Sequence, residues 1–252
     1  MGKNWLFALQ ACNGKYVAIC EGDDYWLDPL KLQKQVDFLD KNLDFAICFS
    51  KVYEQTGNEI KLSTNHSWNE EKTFNIHDLS KVNLIYTASV LFRNGLIGDF
   101  PDWFHKSPVG NYVLHMLNAK KGLLKYFPDP MVVYRRETGV WSSKPFTYQA
   151  DKLIDVINYL LIEDFPDSVK DILKIQRRIL VFDYCKTLFD QNDYSYLVKM
   201  REELCDESDF IKNWMLAVYP NKIKSIIESR TFKIVSKAIA ISVRLKSWFH
   251  NN

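Results

Sequence analysis

The sequence predicts an α/β domain that is followed by an all-α extension. Two observations predict the domain: short apolar runs alternate with amphipathic helical periods over residues 1–147, and Gly, Pro and Asn mark many of the junctions. A third observation predicts the extension, because residues 148–252 have helical periodicity almost throughout. We therefore place a domain boundary between residues 147 and 148, close to Pro145.

The composition indicates a folded protein and argues against one class of partner. The 252 residues are 47% hydrophobic and 25% charged, which suffices for a sizeable core. Lys and Arg number 33 against 31 Asp and Glu, and this near-neutral balance argues against nucleic-acid binding. The five cysteines form no CxxC pair, and neither a signal peptide nor an apolar run of membrane-spanning length is visible. These features predict a cytoplasmic protein.

Five strands are predicted in the α/β part. Residues 16–20 form a continuous apolar run that ends at acidic residues, as expected for a buried parallel strand that ends at a functional edge. The other strands are predicted at residues 45–53, 87–93, 123–127 and 131–134, with the Pro128-Asp129-Pro130 turn between the last two.

Two helices are predicted between these strands. Asp28 and Pro29 suit the N-cap and the first position of one helix. The residues expected on its inward stripe are Leu32, Val36 and Leu39. Residues 109–121 predict the other helix, with Gly122 as its C-terminal cap.

The extension is expected to break at Pro166 and Pro220 and to end in a basic amphipathic helix over residues 222–250. This last segment carries seven basic residues and one acid. Such a helix can lie against anionic headgroups at the inner face of a membrane, or it can dock on the core of its own domain. Trp248 and Phe249 at its end tilt the prediction toward peripheral membrane contact.

The sharpest chemical feature is the acidic run Glu21-Gly22-Asp23-Asp24. Carboxylates this close repel one another unless a cation neutralises them, and Mg²⁺ or Mn²⁺ is the natural partner of clustered oxygens. If the strand stays extended, Glu21 and Asp23 point the same way and face one ion. The alternative interpretation is a solvated turn that caps the next helix.

The residues around this run resemble the segment that carries the DXD motif in family 2 glycosyltransferases, particularly bacterial ones that decorate surface polysaccharides. The resemblance rests on GKYVAICEGDDYWLDPLKLQKQVDFLDKN at residues 14–42, and on two later segments in the same order. Residues 84–94 resemble the acceptor-side strand of the family, and residues 101–142 resemble its terminal catalytic section. The resemblance covers roughly residues 4–143 and excludes the helical tail.

This resemblance implies a partial GT-A sheet and a hexosyltransferase-like activity. The sugar would pass from a nucleotide-diphosphate sugar to a glycan or lipid-linked acceptor by an inverting single displacement. A divalent ion, Mn²⁺ or Mg²⁺, would bridge the two phosphates of the donor.

The resemblance also implies roles for individual residues. Glu21 and Asp23 would be the metal-side acids, and Asp24 would lie behind them or contact the sugar. The residues implied in substrate binding are Asp24, Tyr25, Trp26, Arg135 and Trp141. Arg135, or Arg136 beside it, would pair with the diphosphate because a guanidinium fork matches phosphate oxygens.

Two departures from the family pattern change what is expected. The nucleotide-binding half that normally precedes the acidic motif, on the order of 80 residues, is not found in this sequence, which predicts an N-terminal truncation and an unpaired sheet edge. The expected general base is replaced by Asn111, and an amide cannot accept the proton; Asp102 and His105, nearby in sequence, are candidate substitutes. The alternative function is therefore a non-catalytic remnant or pseudoenzyme that serves as a binding module. A two-carboxylate glycoside hydrolase is a weaker third reading.

Overall fold

The computed structural model of the protein describes residues 2–136, 141, 143–191 and 193. The described chain forms a mixed α/β fold with helices after the sheet, as the sequence predicts. The strands are β1 (Tyr16–Ala18), β2 (Tyr25–Trp26), β3 (Phe45–Thr56), β4 (Glu59–Leu62), β5 (Lys72–Phe74), β6 (Leu91–Arg93) and β7 (Leu123–Arg135). The helices are α1 (Gly2–Gln10), α2 (Lys31–Lys41), α3 (Ile76–Lys81), α4 (Gly110–Ala119), α5 (Phe146–Leu161) and α6 (Asp167–Asp190).

The sheet has seven strands, and its main path runs β1-β6-β3-β7-β2. β4 pairs with β3 and β5 pairs with β7 beside this path. The long pair β3–β7 is parallel, whereas every other ladder is antiparallel. β1, β3 and β7 therefore run in one direction, and their carboxyl ends share one edge of the sheet.

The prediction of a parallel strand over residues 16–20 is wrong in length and in pairing. β1 stops at Ala18, and its ladder is antiparallel to β6, with Val17 opposite Phe92. The chain leaves the sheet because the backbone N–H of Asp24 donates to the carbonyl of Glu21 at 3.0 Å and closes a turn. In the described part of the chain β1 ends the sheet path and has β6 as its sole ladder partner.

The two strands predicted around Pro128-Asp129-Pro130 are a single strand. β7 continues through this segment because its register against β3 shifts near Ser50 and Lys51, which accommodates prolines that cannot donate to a ladder. Because β7 is continuous, one strand runs from the buried middle of the sheet to the edge where Arg135 lies.

Four elements were not predicted: β2, β4, β5 and α3. β4 follows a tight hairpin in which Gly57 has φ 56°, a left-handed conformation that glycine tolerates without strain. α3 begins with a capping box, in which Asn75 accepts from backbone N–H groups of the first turn and Asp78 bonds back to the N–H of Asn75. Short, polar elements of this kind leave little periodic signal in a sequence.

α2 differs from the prediction in its start and its inner face. Leu30 occupies the N-cap position, while Asp28 accepts from the N–H of Leu30 at 2.8 Å in the turn before the helix. The buried residues of α2 are Lys31, Gln35 and Leu39. The prediction of Leu39 is confirmed, but Leu32 is 38% exposed, and Lys31 and Gln35 take the buried positions expected for Leu32 and Val36.

The main core lies between the sheet and the helices α4, α5 and the first part of α6. Its buried members include Phe49 and Tyr126 of the sheet, Leu114 of α4 and Leu160 of α5. The predicted break at Pro166 separates α5 from α6. The prediction at Pro220 and the basic helix 222–250 lie outside the described residues.

The chain divides into two compact units, Met1–Leu180 and Val181–Asn252. In the second unit the described residues form the end of α6, where Lys186 and Asp190 make an ion pair at 2.7 Å. The domain boundary predicted between residues 147 and 148 concerns function, which this division does not test, and it stays a prediction. Among the described residues, no helix is both long enough and apolar enough to span a bilayer.

Candidate functional site

The candidate site lies where β1 leaves the sheet. The turn Glu21–Asp24, called here the acidic turn, follows β1 and leads into β2, which pairs with β7 through Tyr25 and Val133. The carboxyl ends of β3 and β7 reach the same edge, so residues from three strands meet there. In open α/β sheets this edge is where ligands bind.

Asp24 is the most buried acid of the turn, with 8% of its surface exposed. Its Oδ1 accepts a hydrogen bond from the backbone N–H of Arg135 at 2.9 Å, which ties the turn to the end of β7. Its Oδ2 is buried and has no hydrogen-bond partner among the described residues. Burial raises the pKa of Asp24 to about 6, although the bond from Arg135 opposes the shift. A buried acceptor in this state is open to a hydrogen bond or to a cation.

Glu21 carries the same electrostatic strain. Burial, followed by repulsion from Asp24 and Asp23, raises the pKa of Glu21 to about 7. The expectation that Glu21 and Asp23 align on an extended strand is wrong, because the backbone turns between Glu21 and Asp24. The acidic turn therefore holds two carboxyl groups whose charged forms are disfavoured by burial and by each other, and a cation would lower its free energy.

The fit of a divalent ion can be judged from these residues. Within the described part of the chain, no three His, Cys, Asp or Glu side chains converge closely enough to hold an ion by themselves. Mg²⁺, however, is commonly bound by one or two carboxylates together with water and substrate phosphates. The Oδ2 of Asp24, which has no hydrogen-bond partner in the described part of the chain, is an oxygen that could serve as such a ligand. The acidic turn fits an ion that arrives with phosphate.

Tyr25, Trp26 and Arg135 lie beside the turn. The guanidinium carbon of Arg135 lies 5.1 Å from the centre of the Tyr25 ring. Trp26 donates from Nε1 to the carbonyl of Ala88 at 2.9 Å and leaves 37% of its surface exposed. An aromatic face and a guanidinium thus flank the acidic turn. Trp141 is half-buried, and its carbonyl accepts from Gln149 Nε2 at 3.1 Å.

The short 3₁₀ segment Thr87–Ser89 brings the position of the expected base to this site. Asn111, at the start of α4, donates from Nδ2 to Thr87 Oγ1 at 2.7 Å. Because Trp26 bonds to the next residue, Ala88, the amide of Asn111 and the indole of Trp26 are anchored on the same three residues. Asp102 is exposed, and its neighbour Trp103 stacks on Tyr159 of α5.

Sequence reasoning missed a polar cluster at the ends of β3 and β7, called here the Glu54 cluster. Glu54 accepts hydrogen bonds from Tyr86, from Ser63 at 2.8 Å and from Arg136 Nε at 2.5 Å. Burial raises the pKa of Glu54, but these donors outweigh it and hold the pKa below its usual value. Arg136 is therefore engaged by Glu54. The available signal was an acid at the carboxyl end of a long buried strand.

Tyr134 lies between the cluster and the acidic turn. Its ring centre is 5.1 Å from that of Tyr86. Burial, followed by the negative charges of Asp24 and Glu21, raises the pKa of Tyr134. The acidic turn and the Glu54 cluster thus both contact the segment of residues 134–136.

Part of the chain that contains this site is similar to a known family. Residues 1–97 match the glycosyl transferase family 2 model, so the matched segment includes the acidic turn, Trp26 and Glu54. The chain is also 37% identical over 145 residues to Uncharacterized protein Mb1547 of Mycobacterium bovis and to Uncharacterized protein Rv1520 of Mycobacterium tuberculosis. The matched stretch covers 56% of this chain and 40% of each relative, so the chain spans about two fifths of these relatives.

Proposed function

We propose, on the premise that residues 1–97 are a family 2 glycosyltransferase segment, that this chain binds a nucleotide-diphosphate sugar at the acidic turn and serves in glycosyl transfer. The acceptor would be a glycan or a lipid-linked sugar, and the transfer an inverting single displacement. The observation that carries the proposal is the buried Oδ2 of Asp24, which has no hydrogen-bond partner among the described residues, in a turn where burial and the neighbouring acids raise the pKa of Glu21.

The charges around the site support a diphosphate ligand. Glu21 and Asp23 are the proposed metal-side acids, and Asp24 adds its unpartnered oxygen to that set. When bound, Mn²⁺ or Mg²⁺ would neutralise negative charge on the departing nucleotide diphosphate. Arg135, whose guanidinium lies over Tyr25 and whose backbone N–H donates to Asp24, would pair with a phosphate oxygen.

The acceptor side is proposed to lie between Trp26 and Asn111. The exposed part of the indole offers an apolar face on which a sugar ring can stack. Asn111 can position a hydroxyl but cannot take its proton, so its side chain supplies no general base. This is the structural reason to expect slow transfer by this chain. Trp141 in substrate binding and Asp102 as a substitute base remain proposals from the sequence.

The first test is calorimetric titration of UDP and of GDP into the purified chain with Mn²⁺, repeated in EDTA. We expect binding in Mn²⁺, loss of binding in EDTA and loss in Asp23→Ala and Asp24→Asn. Asp129→Ala is the matched control, because Asp129 is an aspartate with a 69% exposed side chain outside the acidic turn. Equal binding by all variants, or no binding by a folded wild-type chain, would reject the acidic turn as the nucleotide site.

A second test restores the carboxylate that the family pattern expects. Asn111→Asp is nearly isosteric, and the hydroxyl of Thr87 can donate to the new carboxylate as it now accepts from the amide. We expect release of UDP or GDP from sugar-nucleotide donors to rise by roughly 10²–10⁴-fold, the usual contribution of a general base. Asn83→Asp, at an exposed position where the side chain already accepts the N–H of Ile85, is the control.

The amide at position 111 also favours the second candidate function, a non-catalytic binding module. In that case the chain binds the nucleotide, and neither the wild type nor Asn111→Asp releases nucleotide from a sugar donor.

Peripheral membrane contact through residues 222–250 is a further proposal. The test is binding to phosphatidylglycerol vesicles by the chain with and without that segment.

A further inference from the structure

Lys31 is an unusual residue for the interior of this protein. It is 1% exposed, and no carboxylate among the described residues forms an ion pair with its ammonium. It stands at the first position of α2, where the helix dipole disfavours positive charge. Burial lowers the pKa of Lys31 to about 8. A buried charge without a counter-ion needs specific contacts to hold it.

Two contacts hold the ammonium. Its Nζ lies 4.6 Å from the centre of the Trp26 ring, within cation–π range. It also donates to Gln35 Oε1 at 3.0 Å. One contact thus goes to the aromatic residue beside the acidic turn, and the other to a fully buried amide one turn along α2.

The amide of Gln35 continues this connection to the site. Its Nε2 donates to the carbonyl of Ser89 at 2.9 Å. Ser89 belongs to the Thr87–Ser89 segment, which also accepts the indole N–H of Trp26. Trp26 is therefore fixed through its ring face by Lys31, and through its N–H by a segment that Gln35 holds in place.

We propose that Lys31 and Gln35 are positioning residues that orient the Trp26 indole, and the Thr87–Ser89 segment beneath Asn111, for acceptor binding. The proposal rests on the proposed function for its acceptor, but not for the orientation of Trp26. Lys31 covers one face of the indole, so the opposite face is directed to the ligand. A residue that served only to fill the core would not need a charge.

The test observes Trp26 directly. The protein is labelled with 5-fluorotryptophan, and the fluorine resonance of Trp26 is identified among the seven tryptophans by its absence in Trp26→Phe. Lys31→Met keeps the length of the side chain without the charge, and Gln35→Met removes the bond to Ser89. We expect both variants to shift or broaden the Trp26 resonance selectively. Lys34→Met, an exposed lysine on the same helix, should leave it unchanged.

Binding supplies a second readout. With UDP and Mn²⁺, Lys31→Met should leave affinity within about twofold, while the wild-type change of the Trp26 resonance on adding a glycan acceptor is lost. An unchanged Trp26 resonance in both Lys31→Met and Gln35→Met would overturn the inference. If Lys31→Met does not fold, Gln35→Met decides by the same criterion. A wild type that binds no UDP or GDP would reject the proposed function and leave the Trp26 result standing.

Discussion

Asp24 and Glu54 lie against the same short stretch of β7, yet their carboxylates are in opposite states. Glu54 is surrounded by donors from Tyr86, Ser63 and Arg136, and its pKa is lowered. Asp24 receives a bond from Arg135, keeps one oxygen unpartnered among the described residues, and has its pKa raised to about 6. The difference distinguishes two roles of acids at one sheet edge. A carboxylate whose oxygens are bonded by protein donors stabilises the fold, whereas one with an unbonded oxygen is available to a ligand.

The largest expected effect is on nucleotide affinity, and it should follow removal of the negative charge of Asp24. Asp24→Asn keeps the acceptor for the N–H of Arg135, so we expect the fold to be retained. Affinity for UDP with Mn²⁺ should fall by about 100-fold, the upper range for a lost metal-site partner. Calorimetry measures the affinity, and Glu54→Gln serves as the comparison, with a fall below about threefold. Similar losses in the two variants would erase the distinction between the two acids.

The satisfied acid should matter chiefly for stability. Glu54→Ala removes the acceptor shared by Tyr86, Ser63 and Arg136, and we expect the free energy of unfolding to drop by about 3 kcal/mol. Urea unfolding followed by circular dichroism measures this change. Glu59→Ala, whose side chain is 63% exposed, should change stability by less than about 0.5 kcal/mol. A drop in Glu54→Ala no larger than that control would contradict the structural role.

The raised pKa values predict an inverted dependence of stability on pH. Because Glu21 and Asp24 bind protons more tightly in the folded state, their contribution is favourable below about pH 4 and is lost as the pH rises toward 7. The loss should be on the order of 2 kcal/mol without a divalent ion. Urea unfolding at several pH values, for wild type and for Glu21→Gln/Asp24→Asn, isolates these groups. A wild-type slope identical to that of the double variant would show that the acids are not strained.

The smallest effect concerns a single donor in the Glu54 cluster. Tyr86→Phe removes the hydroxyl bonded to Glu54, to Ser63 at 3.0 Å and to Asn65, and should cost about 1 kcal/mol of unfolding free energy. The pKa of Glu54, followed by NMR of its side-chain carboxyl, should rise because one of its donors is gone. Tyr53→Phe, on the same strand as Glu54, provides the comparison. Equal changes in stability and in the pKa of Glu54 for the two variants would argue against the cluster.

The sequence predicts the parts of this site that depend on local order. The acidic run after an apolar strand, and the aromatic residues that follow it, lie within eleven residues of one another and are recognisable from residues 16–26. The fold class follows from the alternation of apolar runs and helical periods, and it is confirmed. Both depend on patterns that short stretches of chain contain.

What could not be predicted depends on contacts between distant residues. Glu54, Ser63, Tyr86 and Arg136 meet only because β3, its hairpin and β7 pair in one register. Two of the three inward positions of α2 were misplaced by one residue because Lys31 and Gln35 are polar, and contacts with the distant residues Trp26 and Ser89 make their burial acceptable. A turn rather than an extended strand at Glu21 likewise follows from where the sheet ends, which local pattern does not specify.

The continuity of β7 limits how the length of this chain can vary. Alternate residues of a strand face opposite sides of the sheet, so one residue inserted or deleted between Leu123 and Tyr134 would turn Arg135 and its neighbours to the other face. The hairpin tip at Gly57, which lies outside the β3–β7 ladder, could absorb the same change in a loop. Length changes compatible with the acidic turn and its guanidinium are therefore expected at the hairpin tip. The proline-containing segment of β7 should tolerate exchanges of side chain but not of residue number.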